Sequence, residues 1–167
     1  MSTTTETPRV WVGCLACYSA GTLRGEWVDA IAAAEFVPCE GRGHEEWWVF
    51  DHEGFGGVLV GECSPMAAQE IAEQIESVDE WQRGAWFAYV KYQGIEYAGG
   101  FEDAYCGEFD SAEGYAQSLA ADCGYMDREF HWPFTCIDWE RAARELDYDG
   151  YYFIDSGEGT VYVFSPA

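Results

Sequence analysis

Acidic side chains dominate the charge of this sequence. The 167 residues include 31 Asp and Glu but only eight Lys and Arg, giving a formal net charge of −23. Ionised carboxylates are seldom buried without partners, so most of them must lie on the surface of any fold. An acidic chain poor in aromatic residues would be disordered. This one is 49% hydrophobic and 17% aromatic, which is enough to build a core beneath that surface.

The charge also limits which partners the protein can bind. Duplex DNA carries about one charge per 1.7 Å of axis, so 23 net charges correspond to about 39 Å of duplex. We therefore expect the protein to be repelled by nucleic acid and attracted to proteins that bind nucleic acid. The sequence leaves two alternatives open: an acidic, salt-adapted soluble interaction domain and a weak calcium-binding protein. The abundant aromatic residues favour an interaction surface.

The sequence predicts a cytoplasmic protein. It has no run of about 18 apolar residues, and its opening MSTTTETPR lacks the basic and apolar regions of a signal peptide. We therefore expect no membrane partner. The seven cysteines are odd in number and show no framework spacing, so we expect reduced thiols without disulfides.

Hydrophobic patterns and capping signals predict an α+β chain of three small domains. Residues 1–61 read as an N-terminal α+β domain, with an antiparallel sheet from RVWVGCLACY and EEWWVFDHEGFGG, a short helix in EWVDAIAAAEFV and an apolar run VLVGEC. Residues 62–103 read as a central helical domain. Residues 104–167 read as a C-terminal α+β domain that ends in a hairpin across SGEG.

Capping signals place the helices within these domains. Ser64 and Pro65 begin one helix, with Met66, Ile71, Ile75 and Val78 as its apolar residues and its glutamates largely on the other face. Capping-box spacings at Ser77/Glu80 and Asp110/Glu113 predict two more helices, the second closed by Gly124. A further helix covers IDWERAARELDYDG.

Candidate metal-binding and catalytic residues form no recognised motif. Cys14 and Cys17 form a CxxC pair, but no second pair follows at zinc-ribbon spacing, and on an extended strand the two side chains would face opposite sides. We interpret them as buried apolar residues, since a thioredoxin-like role would need a helix starting at the motif. The histidines, His44, His52 and His131, show no paired-ligand spacing.

A calcium loop is nearly matched near the C-terminus. Glu145, Asp147, Asp149 and Gly150 fall at loop positions 1, 3, 5 and 6, but Ser156 replaces the bidentate Glu required at position 12. Hydrolase, kinase and nucleotide-binding motifs are also missing from the sequence. We expect a protein that is not an enzyme and that uses no catalytic residue, metal or cofactor.

Three segments resemble the ArdA family of antirestriction proteins. In the first, VWVGCLACYSAGTLRGEWVDA, the family's aromatic and glycine motif is matched by Tyr18, Gly21, Leu23, Gly25 and Trp27, with Ser19 where the family usually has Asn. VFDHEGF resembles a D-x-E element. CIDWERAARELD resembles the antirestriction motif through Ile137, Asp138, Arg144 and Leu146, with Trp139 replacing Tyr and Glu145 replacing Asp.

This resemblance implies a function. Members of the family are elongated three-domain homodimers that mimic bent B-form DNA and block the DNA-binding groove of type I restriction-modification enzymes, protecting incoming mobile DNA. The specificity and methyltransferase subunits of such an enzyme would be the partners. We expect the phosphate-mimicking carboxylates to be Glu70, Glu73, Glu76, Asp79, Glu80, Glu102, Asp103, Glu108, Asp110, Glu113, Asp127, Glu129, Asp147 and Asp149.

The antirestriction motif itself has two interpretations. It can contact the target enzyme directly, or it can form a core or dimer face with Asp138 as helix cap, which we favour. The residues concerned are Ile137, Asp138, Trp139, Ala142, Arg144, Glu145 and Leu146.

Overall fold

The computed structural model describes residues 6–126 and 131–166. The chain divides into two compact units, Met1–Phe87 and Ala88–Ala167. Each unit contains a three-stranded antiparallel sheet together with helices, which confirms the predicted α+β class. The predicted domain limits near residues 61 and 103 fall inside these two units, and the three-domain organisation stays a prediction.

The first sheet has the strand order β2-β1-β3. Its central strand β1 (Arg9–Cys14) pairs antiparallel with β2 (Gly25–Asp29) and with β3 (Trp47–Glu53). Val10 and Val12 on β1 are fully buried, the alternation expected of a strand with one face on the core. The apolar β-branched residues of the first strand therefore form the centre of this unit.

The chain turns into a helix directly after β1. Helix α1 (Leu15–Ser19) begins after Cys14, so the predicted continuation of the strand through LACY is wrong. Gly21, at φ +85°, follows the helix in the left-handed conformation that glycine adopts without steric cost. The CxxC pair thus joins a strand end to a helix, and the expectation of opposite faces on one extended strand is also wrong.

Two further segments of this unit differ from the prediction. EWVDAIAAAEFV was predicted as a helix, but its first part is strand β2 and only Ala30–Glu35 is helical, in the 3₁₀ form. The first part forms a strand because it pairs with β1 along its whole length. Its β-branched and aromatic residues, such as Val28 and Trp27, also favour the pleated surface of a sheet. The VLVGEC run contributes an isolated bridge between Cys63 and Val49 rather than a strand.

Helix α2 (Pro65–Ser77) begins as predicted. The Ser64 hydroxyl accepts a hydrogen bond from the Ala67 backbone N–H at 3.2 Å, and Pro65 occupies the first helical position. A proline is tolerated there because that N–H has no partner within the helix.

The buried face of α2 is built from small residues. Ala68, Ala72 and Ile75 are fully buried, and the helix packs against the 3₁₀ segment Ala30–Glu35. Met66, which was predicted on the apolar face, is exposed. The small alanine side chains let the backbones of α2 and the 3₁₀ segment approach each other closely. The buried face of α2 is therefore centred on alanines and not on Met66, as the sequence had suggested.

The predicted capping box of Ser77 and Glu80 does not form. Ser77 is the last residue of α2, and its hydroxyl donates to the Gln74 carbonyl at 2.6 Å. The region from residue 62 to 103 is nevertheless largely helical: it continues with 3₁₀ turns at Glu80–Gln82 and Ile95–Gly100, α3 (Arg83–Gln93) and α4 (Phe101–Ala104).

The second sheet has the strand order β4-β6-β5. Strands β5 (Tyr152–Asp155) and β6 (Val161–Phe164) form the predicted hairpin, and β4 (Tyr105–Phe109), which the sequence did not reveal, pairs with the other side of β6. Phe164 is fully buried. Its ring lies 5.0 Å from that of Tyr152 and 5.3 Å from that of Tyr89. Aromatic packing therefore holds this unit together.

Helices α5 (Ala112–Asp122) and α6 (Trp139–Tyr148) pack against each other in the second unit. The N-cap of α5 is Ser111, whose hydroxyl accepts from the Gly114 N–H at 3.0 Å, so the predicted capping role of Asp110 is wrong. Gly124 follows the helix at φ +76°, as predicted. Among the helices of the described ranges, none combines the length and apolar character needed to cross a membrane.

Candidate functional site

Nearly every carboxylate of the described chain lies at the surface. Of the 31 Asp and Glu residues, Asp127 and Glu129 lie outside the described residues; of the remaining 29, 28 are exposed and Glu113 is half-buried. No charged side chain in the described ranges is buried. The candidate site is therefore a distributed acidic surface rather than a cleft.

The first group of predicted carboxylates lies on and after α2. Glu70, Glu73 and Glu76 are exposed and three residues apart, which is about 4.5 Å of rise along a helix axis. Phosphates on one DNA strand advance about 3.4 Å each. Asp79 and Glu80 continue this exposed acidic segment beyond the helix end. Regular helix geometry therefore produces an axial charge spacing of the same order as that of a nucleic-acid strand, although wider by about 1 Å.

The second group lies in the second unit. Its members lie on α4 and β4, in the connection from β4 to α5, in the first turn of α5, and in the last turn and C-cap of α6: Glu102, Asp103, Glu108, Asp110, Glu113, Asp147 and Asp149. All are exposed except Glu113, which lies in the first turn of α5. The structure thus places the predicted carboxylates in two groups, one in each unit.

One of these acids, Glu108, lies on the second sheet beside tyrosine side chains. The Thr160 hydroxyl donates a hydrogen bond to the Glu108 carboxylate on the sheet that also carries Tyr105 and Tyr162. Burial raises the pKa of Tyr105 to about 12, and the charge of Glu108 adds to the effect. The Tyr105 phenol therefore stays neutral well above physiological pH and adds no negative charge of its own to this edge.

Several acids lie where helix stability disfavours them. The C-terminal end of a helix carries a partial negative charge, so basic residues are the stabilising ones there. Instead, Glu76 lies in the last turn of α2, Asp147 in the last turn of α6 and Asp149 at the C-cap of α6, and neither helix has a basic residue in its last turn. These acids therefore carry their charge at a local cost in helix stability, a kind of violation that is expected at functional surfaces.

Some carboxylates of the described residues are paired with neighbouring cations. The Arg9 guanidinium lies 4.0 Å from the Asp29 carboxylate and 3.5 Å from that of Glu53. Arg141 lies 3.1 Å from Glu145, one helical turn away. These pairs are exposed, so each contributes little energy, but they make the acids concerned poorer candidates for binding a cationic partner.

The sequence reasoning missed the acids carried by strands. Asp51 on β3 and Glu26 on β2 are exposed, but the predicted carboxylates come mostly from segments expected to be helical and do not include them. Glu45 and Glu46 line a shallow groove beside Trp47 and Trp48 in the same unit. A period-two pattern in WWVFDHE, in which Asp51 and Glu53 alternate with His52, is the signal that could have found the outward-facing strand positions.

The antirestriction motif occupies α6 and the residues before it. The Asp138 carboxylate accepts a hydrogen bond from the Arg141 backbone N–H at 3.0 Å, which confirms its predicted role as helix cap. Ala143 is buried, whereas Arg144 and Glu145 are exposed and Ile137 is partly so; half-buried residues complete an apolar stripe at helical spacing, namely Trp139, Ala142 and Leu146. The motif thus combines one apolar face with one charged face.

The N-terminal glycine motif has structural reasons for its spacing. Gly25 lies on β2 against the Val12 carbonyl and the Trp11 ring, where a Cβ would clash. Gly21 adopts the left-handed conformation after α1. Leu23, which lies between the two glycines, is exposed. Tyr18, before them, is also exposed, and its ring lies 5.5 Å from that of Phe50. The glycines therefore shape the backbone, while the larger residues of the motif are left at the surface.

The calcium-loop interpretation is wrong in its geometry. Glu145 and Asp147 belong to helix α6, and Asp149 is its C-cap, so these residues do not form a loop around an ion. Within residues 6–126 and 131–166, the only converging group of three or more His, Cys, Asp or Glu side chains is formed by Cys14, Cys17, Cys39 and His44.

Comparison with known proteins identifies the family. A search of curated proteins found no match. The family model described as "Antirestriction protein (ArdA)" matches residues 10–159 of the 167-residue chain. The match includes the first sheet from Val10 onward, strands β4 and β5 of the second sheet, and the α6 motif. The chain therefore belongs to the ArdA family of antirestriction proteins, and this membership supports an antirestriction function.

Proposed function

We propose that this protein blocks type I restriction-modification enzymes in the cytoplasm by occupying their DNA-binding groove as a mimic of bent B-form DNA. Its carboxylates would take the place of phosphates. The observation that carries the proposal is the exposure of 28 of the 29 described carboxylates in a chain with eight cationic residues. The specificity and methyltransferase subunits are the proposed partners, because they form the groove that binds DNA.

Electrostatics provides the driving force. The positively charged groove of a DNA-binding enzyme attracts an acidic body and steers it into position. Each exposed ion pair contributes only about 0 to 1 kcal/mol, so the affinity must come from many pairs acting together. A phosphate-like surface needs breadth rather than enclosure, which fits the exposure of the described carboxylates.

Rigidity provides the second advantage. Bending 20 to 30 base pairs of DNA costs an enzyme of the order of 1 to 6 kcal/mol, and a protein that presents its charges already in place avoids that cost. Aromatic packing, such as the rings of Tyr89 and Tyr152 against Phe164, fixes the sheet that carries acids of the second unit. The acids at the ends of α2 and α6 indicate that charge placement has been favoured over helix stability.

A homodimer would extend the charged surface. Two copies carry 2 × −23 = −46 net charges, equivalent to about 78 Å of duplex at one charge per 1.7 Å. The incompletely buried apolar stripe of α6, together with Ile137 just before the helix at 38% exposure, supplies a face that a second copy could cover. We therefore propose that the α6 stripe contributes to the dimer interface, while its charged face remains at the surface.

A competition experiment tests this function. A fluorescent duplex containing the recognition sequence is bound to a purified type I methyltransferase, and the protein is titrated in at low and moderate salt. The proposal predicts competitive displacement of the duplex and an inhibition constant that weakens steeply with salt. Binding that leaves the duplex in place, or affinity that is indifferent to salt, would contradict mimicry.

A further inference from the structure

Four potential metal ligands from three segments converge in the first unit. Cys14 ends β1, Cys17 lies in α1, and Cys39 and His44 lie in the connection before β3. Their ligand atoms all lie within 4.8 Å of one another. The Cys14 sulfur is 3.2 Å and the Cys17 sulfur 3.5 Å from Nδ1 of His44. The Cys17 and Cys39 sulfurs are 3.2 Å apart.

These distances fit a tetrahedral metal site. With Zn–S bonds of about 2.3 Å and Zn–N bonds of about 2.0 to 2.1 Å, ligand atoms at tetrahedral angles lie roughly 3.6 to 3.8 Å apart. The closest observed separations, 3.2 and 3.5 Å, are shorter than this by up to about 0.6 Å, and all separations stay within 4.8 Å, so small side-chain shifts would complete the tetrahedron. A sulfur–sulfur separation of 3.2 Å is far longer than the covalent bond of about 2.05 Å in a disulfide, and all seven cysteines are free thiols.

The burial of the cluster favours a metal over separate thiols. Cys14, Cys17 and Cys39 are 0%, 4% and 5% exposed and form a core cluster of their own. Buried cysteines alone could serve as small apolar residues. The half-buried imidazole of His44 turns a ring nitrogen toward two of these sulfurs, which adds a fourth ligand atom of the type that metals use.

The sequence spacing agrees with this geometry. The ligands follow the pattern C-x2-C, a gap of 21 residues, then C-x4-H. A second pair does follow the CxxC, but it consists of a cysteine and a histidine, so a search for paired cysteines missed it. Three thiolates and an imidazole in tetrahedral arrangement are the ligand set of structural zinc sites.

We propose that Cys14, Cys17, Cys39 and His44 bind one Zn²⁺ ion in a structural site. Four protein ligands fill the coordination sphere and leave no open position for water, so the ion would stabilise rather than catalyse. The site replaces the expectation of a metal-free protein. It goes beyond the proposed function and does not depend on it, since none of the four ligands is a carboxylate of the acidic surface.

The ion would hold the connection between the 3₁₀ helix and β3. Residues 38–43 of that connection are turns, with Gly41 and Gly43 at φ +79° and +70°. Its internal backbone hydrogen bonding includes a long contact from the Arg42 N–H to the Cys39 carbonyl, at 3.4 Å. Zinc binding by Cys39 and His44 would fix this turn against the end of β1 and the start of α1.

Metal analysis of the full chain tests the proposal. The protein is purified under reducing conditions and its metal content measured by mass spectrometry, with about one Zn²⁺ per chain expected. Removing the metal and adding Co²⁺ should produce the visible absorption of tetrahedral cobalt–thiolate coordination. The variants Cys39→Ser and His44→Ala should lose bound metal, whereas the matched controls Cys63→Ser and His52→Ala, in the same unit but outside the cluster, should retain it.

Thiol labelling keeps the test decisive if a ligand variant does not fold. In the wild-type protein, added Zn²⁺ should slow alkylation of Cys14, Cys17 and Cys39 relative to the chelator-treated sample, while labelling of Cys63 stays unchanged. Wild-type protein that binds neither Zn²⁺ nor Co²⁺ would overturn the proposal. So would iron in place of zinc, unchanged labelling on zinc addition, or a Cys17–Cys39 disulfide in the purified protein.

Discussion

Neutralising the acids at the end of α6 should stabilise the protein while weakening its inhibition. Asp147 lies in the last turn and Asp149 at the C-cap, next to the partial negative charge of the helix end. Each unfavourable interaction is worth about 0.3 to 1 kcal/mol at low salt. The double variant Asp147→Asn, Asp149→Asn should therefore raise the free energy of unfolding by about 0.6 to 2 kcal/mol, the sum of these two terms.

The matched control removes the same charge from helix starts. Glu113 and Glu140 lie in the first turns of α5 and α6, where the helix dipole favours acids. The double variant Glu113→Gln, Glu140→Gln also changes the net charge from −23 to −21 but should lower the free energy of unfolding. Any general relief of charge repulsion is common to both pairs, so their difference isolates the helix-end effect.

Thermal unfolding followed by circular dichroism measures this difference. The second unit has 80 residues, from 88 to 167, and about 1 kcal/mol shifts the midpoint of a domain of this size by about 4 to 8 °C. The midpoints of the two double variants should move in opposite directions at low salt and converge as salt is added. Equal stabilisation by both pairs would refute the reasoning, because the acids at the helix end would then impose no specific cost.

Three other predictions follow from the same surface and core. Single changes such as Glu73→Gln should leave methyltransferase binding nearly unchanged, whereas eight neutralisations spread over both acidic groups should weaken it by about 4 kcal/mol, or roughly a thousandfold. A control that exchanges Glu for Asp and Asp for Glu at the same eight positions should retain most of the affinity. A single residue whose neutralisation abolishes binding without unfolding the protein would contradict the distributed mechanism. Light scattering should report roughly twice 18.7 kDa, and Ile137→Asp should shift the protein toward the monomer; a wild-type monomer that still inhibits would refute the need for dimerisation. A zinc chelator should lower the unfolding midpoint, because zinc binding contributes folding energy, and it should have no such effect on a folded His44→Ala variant; an unchanged wild-type midpoint would count against the metal's structural role.

Local signals predicted the elements that local chemistry controls. Ser64 with Pro65 and Asp138 cap their helices as the sequence indicated, because a short polar side chain satisfies the free backbone N–H groups wherever it occurs. The terminal hairpin was also predicted, since its apolar strands flank a glycine-containing turn. Exposure of the carboxylates followed from the cost of burying charge.

Long-range pairing decided what the sequence could not predict. Strand β2 forms because it pairs with β1, although its residues run into an alanine-rich segment with helical character. The helix after Cys14 begins where the hydrogen bonds of β1 to its neighbouring strands end. The last of these bonds run from the Cys14 N–H to the Arg24 carbonyl and from the Leu15 N–H to the Glu46 carbonyl. The cysteine and histidine cluster needed both features together, because its ligands are brought near one another by the fold and not by adjacency in the chain.

Survival of unmodified phage DNA in a restricting host measures the central claim most directly. Cells carrying an active type I restriction enzyme are infected with unmodified phage, with and without this protein, and compared with an isogenic host that lacks the enzyme. Expression should raise the plating efficiency toward that of the restriction-deficient host, and the eight-carboxylate variant should raise it much less than its charge-conserving control. An unchanged plating efficiency in type I hosts, with folded protein demonstrably present in the cells, would contradict the account.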